Sequence, residues 1–160
     1  MFFRYDEAIL NLRVKDSETS YNYFNGFYAT ASAAGSIDFE VEGFFNSRYN
    51  GGNGMAFFLP PNLPVKGEMK VKGVVNLYKN ARCGFYMDTT ALNVVVDKRG
   101  ALNSCSNDQD GNGLPDIFNQ GSGTFSGDGY TCGTEGNSGT GGSTGANLPV
   151  CKACPSCPSE

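Results

Sequence analysis

The chain predicts a mainly β fold, an antiparallel sandwich or open barrel, and three observations carry that prediction. Glycine takes 22 of 160 positions, roughly double the usual share. Charged residues make up 18%, below the roughly 25% of average soluble domains. Six or seven short segments alternate apolar and polar residues at period two, with turn residues between them at short spacing. Such a turn-dense series of half-buried strands favours an antiparallel architecture over a helical or parallel α/β one. No repeat of roughly 20 to 50 residues is read, which sets a solenoid or propeller aside.

Each element has its own local reason. Leu10 to Val14 alternates as a strand, although a short helix fits nearly as well. Over Ser20 to Ala34, Tyr21, Phe24, Tyr28 and Ala31 recur at helical spacing, while the aromatics also suit strands. Ile37, Phe39 and Val41 alternate with Asp38, Glu40 and Glu42, a strand with one wet face. Asn50-Gly51-Gly52-Asn53-Gly54 is a turn, and Met55 to Leu59 is the apolar run after it. Pro60, Pro61 and Pro64 forbid regular pairing and read as an extended or edge segment. Glu68 to Tyr78 alternates strongly, with Gly73 marking a bulge. Arg82 to Met87 and Ala91 to Asp97 are two further strands, and Asp97 to Gly100 is the closing turn.

The β-rich domain therefore spans residues 1–103, followed by a loop over 104–120 and a Gly/Ser/Cys-rich tail over 121–160. Residues 121–147 are dense in Gly, Ser, Thr and Asn. They lack the apolar surface to offset ordering entropy, and read as a flexible linker or as loops tied down by Cys132.

The loop holds Asp108-Gln109-Asp110-Gly111-Asn112-Gly113-Leu114-Pro115-Asp116. Counted from Asp108, side-chain oxygens fall at positions 1, 3, 5 and 9 (Asp108, Asp110, Asn112, Asp116). A backbone carbonyl falls at 7 (Leu114), the turn glycine at 6 is Gly113, and Asn119 stands at 12 in place of a bidentate Glu. Packed carboxylates repel one another without a cation, so the pattern points to Ca²⁺ in a structural role. The segment resembles the thrombospondin type 3-like or EF-hand-like calcium loop of bacterial surface proteins, whose usual run is D-x-D-x-D-G-L-P-D. That resemblance covers residues 108–119 and implies an extracellular or cell-surface protein. Asn119 in place of Glu lowers the expected affinity to a Kd on the order of 10⁻⁴ to 10⁻³ M.

Composition excludes several classes. Histidine is absent, which removes the commonest general base, the usual partner of a Ser or Cys nucleophile, and any His-containing zinc site. A net charge of −4 argues against nucleic acid, whose phosphates need clustered Lys and Arg. Met1 to Glu7 does not read as a signal peptide, and no apolar run of about twenty residues is long enough to span a membrane.

Six cysteines, Cys83, Cys105, Cys132, Cys151, Cys154 and Cys157, allow up to three disulfides in an oxidising compartment. A Cys105–Cys132 bridge would close about 27 residues around the loop and contribute roughly 3 to 4 kcal/mol in the chain-entropy model. Cys83–Cys105 fits equally. The run Cys151-x-x-Cys154-x-x-Cys157 also has the spacing of a partial metal-cluster motif, without its fourth thiolate.

Asp38, Glu40 and Glu42 raise the question of a glycosidase carboxylate pair, but alternating acids on a wet strand face are ordinary. The expected function is a non-catalytic, calcium-stabilised extracellular subunit, structural or adhesive, in a surface, pilus-like or filament assembly. Its expected partners are protein subunits, a second copy among them, or surface glycans. A narrower version resembles a type IV pilin-like ectodomain without its apolar N-terminal helix, with residues 5–34 as the remainder of a helical spine. The alternative class is a carbohydrate-binding module or carbohydrate-active enzyme.

Overall fold

The structure of the protein, a computed structural model, describes residues 1–5, 9–31, 35–58, 66–88, 92–111, 113–133, 143–145 and 147–154. Fifteen strands are formed among them: β1 Phe2–Tyr5, β2 Ile9–Ser20, β3 Phe27–Ala31, β4 Ser36–Arg48, β5 Met55–Phe58, β6 Lys66–Val71, β7 Val74–Tyr78, β8 Phe85–Asp88, β9 Leu92–Val96, β10 Ala101–Cys105, β11 Ile117–Asn119, β12 Phe125–Ser126, β13 Tyr130–Cys132, β14 Ser143–Gly145 and β15 Lys152–Ala153.

Every strand pair is parallel. One sheet runs β1-β3-β5-β8-β11-β14, and the other β12-β9-β6-β4-β7-β10-β13-β15 with β2 on the far side of β4. The chain is a β-solenoid of about four turns, which overturns the antiparallel sandwich or barrel. Period-two alternation reports that one strand face is buried; it is silent about strand direction. Parallel neighbours normally demand a long crossover. Here a full coil is that crossover, so each strand pairs with its counterpart one turn on.

Each coil has three sides. One strand goes to the six-stranded sheet, and a bent strand or strand pair makes the other two. β4 pairs β6 along its first part and β7 along its second, and the bend falls at Gly43, whose φ is +65°. Gly73, read as a bulge, sits at the same corner one coil on. A Cβ on it would strike the Gly43 backbone, so this corner needs glycine.

Inward positions stack coil upon coil. Phe27, Met55, Phe85 and Ile117 line one side; Phe39, Met69, Val94 and Phe125 the second; Phe45, Val75, Leu102 and Tyr130 the third. All but Phe125 are fully or almost fully buried, and aromatic contacts such as Phe27–Phe39 at 4.9 Å knit the sides together. This is one continuous apolar column, the arrangement of quasi-one-dimensional repeat proteins.

Ile9–Ser20 and Phe27–Ala31 are strands, so the helical spine expected over 5–34 does not form there. The coils run through residue 103 without a break, and the Gly-rich stretch after 121 contributes β12, β13 and β14. Small side chains still form ladder hydrogen bonds when a preceding coil supplies the template. Pro60, Pro61 and Pro64 lie outside the described residues.

Candidate functional site

The site grows out of one repeated corner. Tyr21, Tyr49, Lys79 and Ser106 hold φ between 54° and 55°, a left-handed conformation that costs a non-glycine residue about 1 kcal/mol or more. Each is followed by an asparagine: Asn22, Asn50, Asn80 and Asn107. Asn22 Nδ2 donates to Asn50 Oδ1 at 2.8 Å, Asn50 Nδ2 to Asn80 Oδ1 at 2.9 Å, and Asn80 Nδ2 to Asn107 Oδ1 at 2.9 Å. The same oxygens accept the backbone N–H of the preceding rung at 3.1 to 3.2 Å. The amides also donate to chain carbonyls, as Asn80 Nδ2 does to Ser47 O and Asn107 Nδ2 to Leu77 O. Buried polar groups satisfied this fully hold the corner in one geometry.

All of these rungs donate toward the C-terminus, so the last needs a pure acceptor. Asp116 supplies it. Its Oδ1 accepts Asn107 Nδ2 at 2.7 Å and Asn107 N at 3.0 Å, and its Oδ2 accepts Gly133 N at 2.8 Å. Burial raises the Asp116 pKa; the hydrogen bonds from Asn107 and Gly133 oppose that rise, and the nearby Asp108 charge adds to it. The residue expected at position 9 of the calcium loop is therefore the terminus of a structural ladder.

In earlier coils five positions separate the ladder asparagine from the first inward residue of the next strand, as from Asn80 to Phe85; from Asn107 to Ile117 the gap is wider. The loop is an insertion at this corner. Its first residues lie on the coil below: Asp108 N donates to Arg82 O at 2.8 Å, Gln109 N to Asn80 O at 3.2 Å and Asp110 N to Ala81 O at 3.2 Å. Asp108, Gly111 and Gly113 hold φ of 64°, 70° and 77°, which folds the loop back so that Gly113 N donates to Asp108 Oδ2 at 2.9 Å. Asp108 is only 4% exposed, and its Oδ1 is buried with no hydrogen-bond partner among the described residues. A buried carboxylate oxygen left so costs free energy unless a cation reaches it.

The other expected ligands are dispersed. Asp110 is exposed at the loop surface, Leu114 is half-buried, and Asn112 lies outside the described residues. The Asn119 side chain points to its own turn, donating to Gly123 O and accepting from Gly121 N. Among the described residues no three His, Cys, Asp or Glu side chains converge.

The cysteines pair as Cys105–Cys154 and Cys132–Cys151. Neither Cys105–Cys132 nor Cys83–Cys105 forms: Cys105 and Cys132 stand on successive coils, and both point to the C-terminal segment that comes to lie beside them. Cys151 and Cys154 flank β15 and clamp it onto β13. Cys83 is free and buried, at the position that Asn25 and Asn53 occupy in the two coils before it. Its N–H donates to Asn53 Oδ1 at 3.1 Å, and burial, reinforced by Asp116 and Asp108, pushes its thiol pKa up to about 12. Cys157 lies outside the described residues.

The outer faces separate the remaining candidates. Glu40 is held below the usual carboxylate range by its hydrogen bond to Lys72 and by Arg13, and Arg13 also pairs with Glu42. A general acid needs the opposite shift. Tyr28, Phe58, Tyr86 and Phe118 stack along the outside of the six-stranded sheet at 4.8 to 5.4 Å, so their ring faces are spent on one another. Tyr21, Tyr23 and Phe24 are 75%, 85% and 71% exposed at the first corner, even with Tyr21 stacked on Tyr49 at 5.1 Å and Tyr23 edge-on to Phe24 at 4.8 Å.

No protein-family model, curated protein or solved structure matches this chain.

Proposed function

We propose that the chain is a non-catalytic, calcium-stabilised solenoid module of an extracellular or cell-surface assembly, serving as a structural or adhesive subunit. The observation that carries this reading is Asp108 Oδ1, a carboxylate oxygen buried without a partner among the described residues, inside a loop inserted into an otherwise regular coil. A Ca²⁺ ion would satisfy it, with Asp110, Asn112 and the Leu114 carbonyl as further oxygens; Asp116 and Asn119 are committed elsewhere. Fewer protein ligands than in a full calcium loop keep the Kd on the order of 10⁻⁴ to 10⁻³ M, in the range of extracellular modules. Two disulfides suit an oxidising compartment. An interior filled by apolar columns and asparagine ladders leaves recognition to the outer surface, where protein subunits or surface glycans would meet exposed aromatics.

The test is a thermal melt of the non-reduced protein in 5 mM (about 5 to 50 times the expected Kd) calcium against chelator, with magnesium as control. Calcium should add about 1 to 2 kcal/mol, a rise in Tm of roughly 3 to 8 °C, and Asp108→Asn should abolish the rise. An equal rise in Asp108→Asn, or none in the parent, would overturn the reading. Glu40 and Glu42, both tied to cations, lend no support to the carbohydrate-active alternative, which needs a poised acid.

A further inference from the structure

We propose that the edge formed by β2 is a self-association surface, on which a second copy of the chain docks head to head with β2 antiparallel to β2. This goes beyond the calcium reading and does not depend on it.

Among the described residues β2 pairs with β4 along one side only, which leaves the other side of a twelve-residue strand as a row of backbone donors and acceptors. Edges of that length are templates for pairing. Its facing pattern follows from its register on β4. Leu10, Leu12 and Val14 lie over Ile37, Phe39 and Val41 and face inward, while Asn11, Arg13 and Lys15 face outward over Asp38, Glu40 and Glu42. The register shifts between Lys15 and Ser17, where Asp16 holds φ 45°. Beyond it Ser17 and Thr19 face inward over the buried Phe45 and Ser47, and Glu18 and Ser20 face outward.

A second copy can continue the same sides of the prism only if the corners at Asp16 coincide, which puts a two-fold axis between Lys15 and Asp16. Inward residues then meet inward ones, Val14 with Ser17 of the second copy and Leu12 with its Thr19. Outward residues meet outward ones, Asn11 with Ser20 and Arg13 with Glu18. At the axis Lys15 meets Asp16. Symmetry doubles each pair, so both cations of β2 face anions and no like charges are opposed. The bulge is what makes this work: it inverts the facing parity between the two halves of the strand, and without it Arg13 and Glu18 would lie on opposite faces. At each end of the interface the exposed Tyr21 comes over Leu10 of the second copy.

Head-to-tail stacking is the poorer fit. Among the described residues the opposite end offers strands of two and three residues, too short to match β2.

Sedimentation equilibrium over a wide concentration range should show an association that stops at twice the 17.0 kDa chain mass. Glu18→Arg and Arg13→Glu, each opposing like charges across the axis, should weaken it by roughly tenfold or more. A mixture of the two variants should recover it, because every cross pair is then opposite in sign. That rescue separates docking from a folding defect. Hydrogen exchange on the parent gives a second readout, with β2 amides protected at high concentration and losing protection on dilution while β7 amides do not change. A single-copy mass throughout would overturn the proposal. So would growth without a plateau, which signals head-to-tail stacking, a mixture no tighter than either variant alone, or β2 protection independent of concentration, which signals an edge covered by the chain's own residues.

Discussion

The two ends of the solenoid are closed by different physics. At the C-terminal end the last strands among the described residues have two and three residues, and Cys151 and Cys154 bond β15 to Cys132 and Cys105. The asparagine ladder ends there in a carboxylate that only accepts. At the other end β2 is twelve residues long and no disulfide touches it. The ladder begins in the exposed Asn22, and the most exposed tyrosines and phenylalanine gather beside it. Inside a solenoid each coil templates the next, so the ends are where a chain must stop further pairing or invite it. One end is fastened covalently in a short edge, and the other keeps a long, charge-patterned one.

The largest expected break in this asymmetry comes from the disulfides. The bridges span 49 and 19 residues, worth about 4 and about 3 kcal/mol alone in the chain-entropy model. Because the shorter loop is nested in the longer, removing both should cost less than their sum. Cys105→Ser with Cys154→Ser, and then all four cysteines changed, should lower denaturant midpoints in that order. Exchange should quicken first in β13 and β15 and leave β4 protected.

The ladder offers a smaller contrast between middle and end. Asn80→Ala removes a rung that accepts from Asn50 and donates to Asn107 and Ser47, stranding buried groups, for a cost of about 3 kcal/mol. Asn22→Ala, at the exposed start, should cost under about 1 kcal/mol. Equal costs in urea unfolding would mean that the ladder is not cooperative across coils.

Smallest near neutral pH is the effect of Cys83. Its folded pKa is raised from 9.0 to about 12, so between those values the folded state binds more protons than the unfolded one. Stability is then fully present below about pH 9 and falls as pH rises, with a slope of up to roughly 1.4 kcal/mol per pH unit. Cys83→Ala should flatten that slope. In the parent, a thiol reagent at pH 8 should label Cys83 only after unfolding.

Strand content was legible in the residues: Ile37-Asp38-Phe39-Glu40-Val41-Glu42 alternates as β4 does, and Gly73 marks a corner. Direction was not, because alternation is the same in parallel and antiparallel strands. A signal for the solenoid did exist. Asn22-Tyr-Phe-Asn25-Gly26-Phe27 is echoed by Asn50-Gly-Gly-Asn53-Gly54-Met55 and Asn80-Ala-Arg-Cys83-Gly84-Phe85, and the ladder partners lie 28, 30 and 27 residues apart. It hides because only the Asn and Gly repeat, steps vary with loop length, and the fourth copy is split by the insertion at Asp108. In that insertion the oxygen spacing is plain, but nothing local says that Asp116 will be drawn into the ladder while Asp108 keeps an unpartnered oxygen.

By itself the amino-acid sequence determined a β-rich, glycine-punctuated chain without histidine, with half-buried strands and cysteines able to bridge, since these follow from composition and short-range pattern. The tertiary structure alone decided that strands pair one coil apart, which cysteines meet, and that an aspartate ends an asparagine ladder. Those outcomes depend on contacts between coils, with partners 27 to 30 residues apart along the asparagine ladder and 49 and 19 apart in the disulfides, in registers set by stacking each coil on the one before.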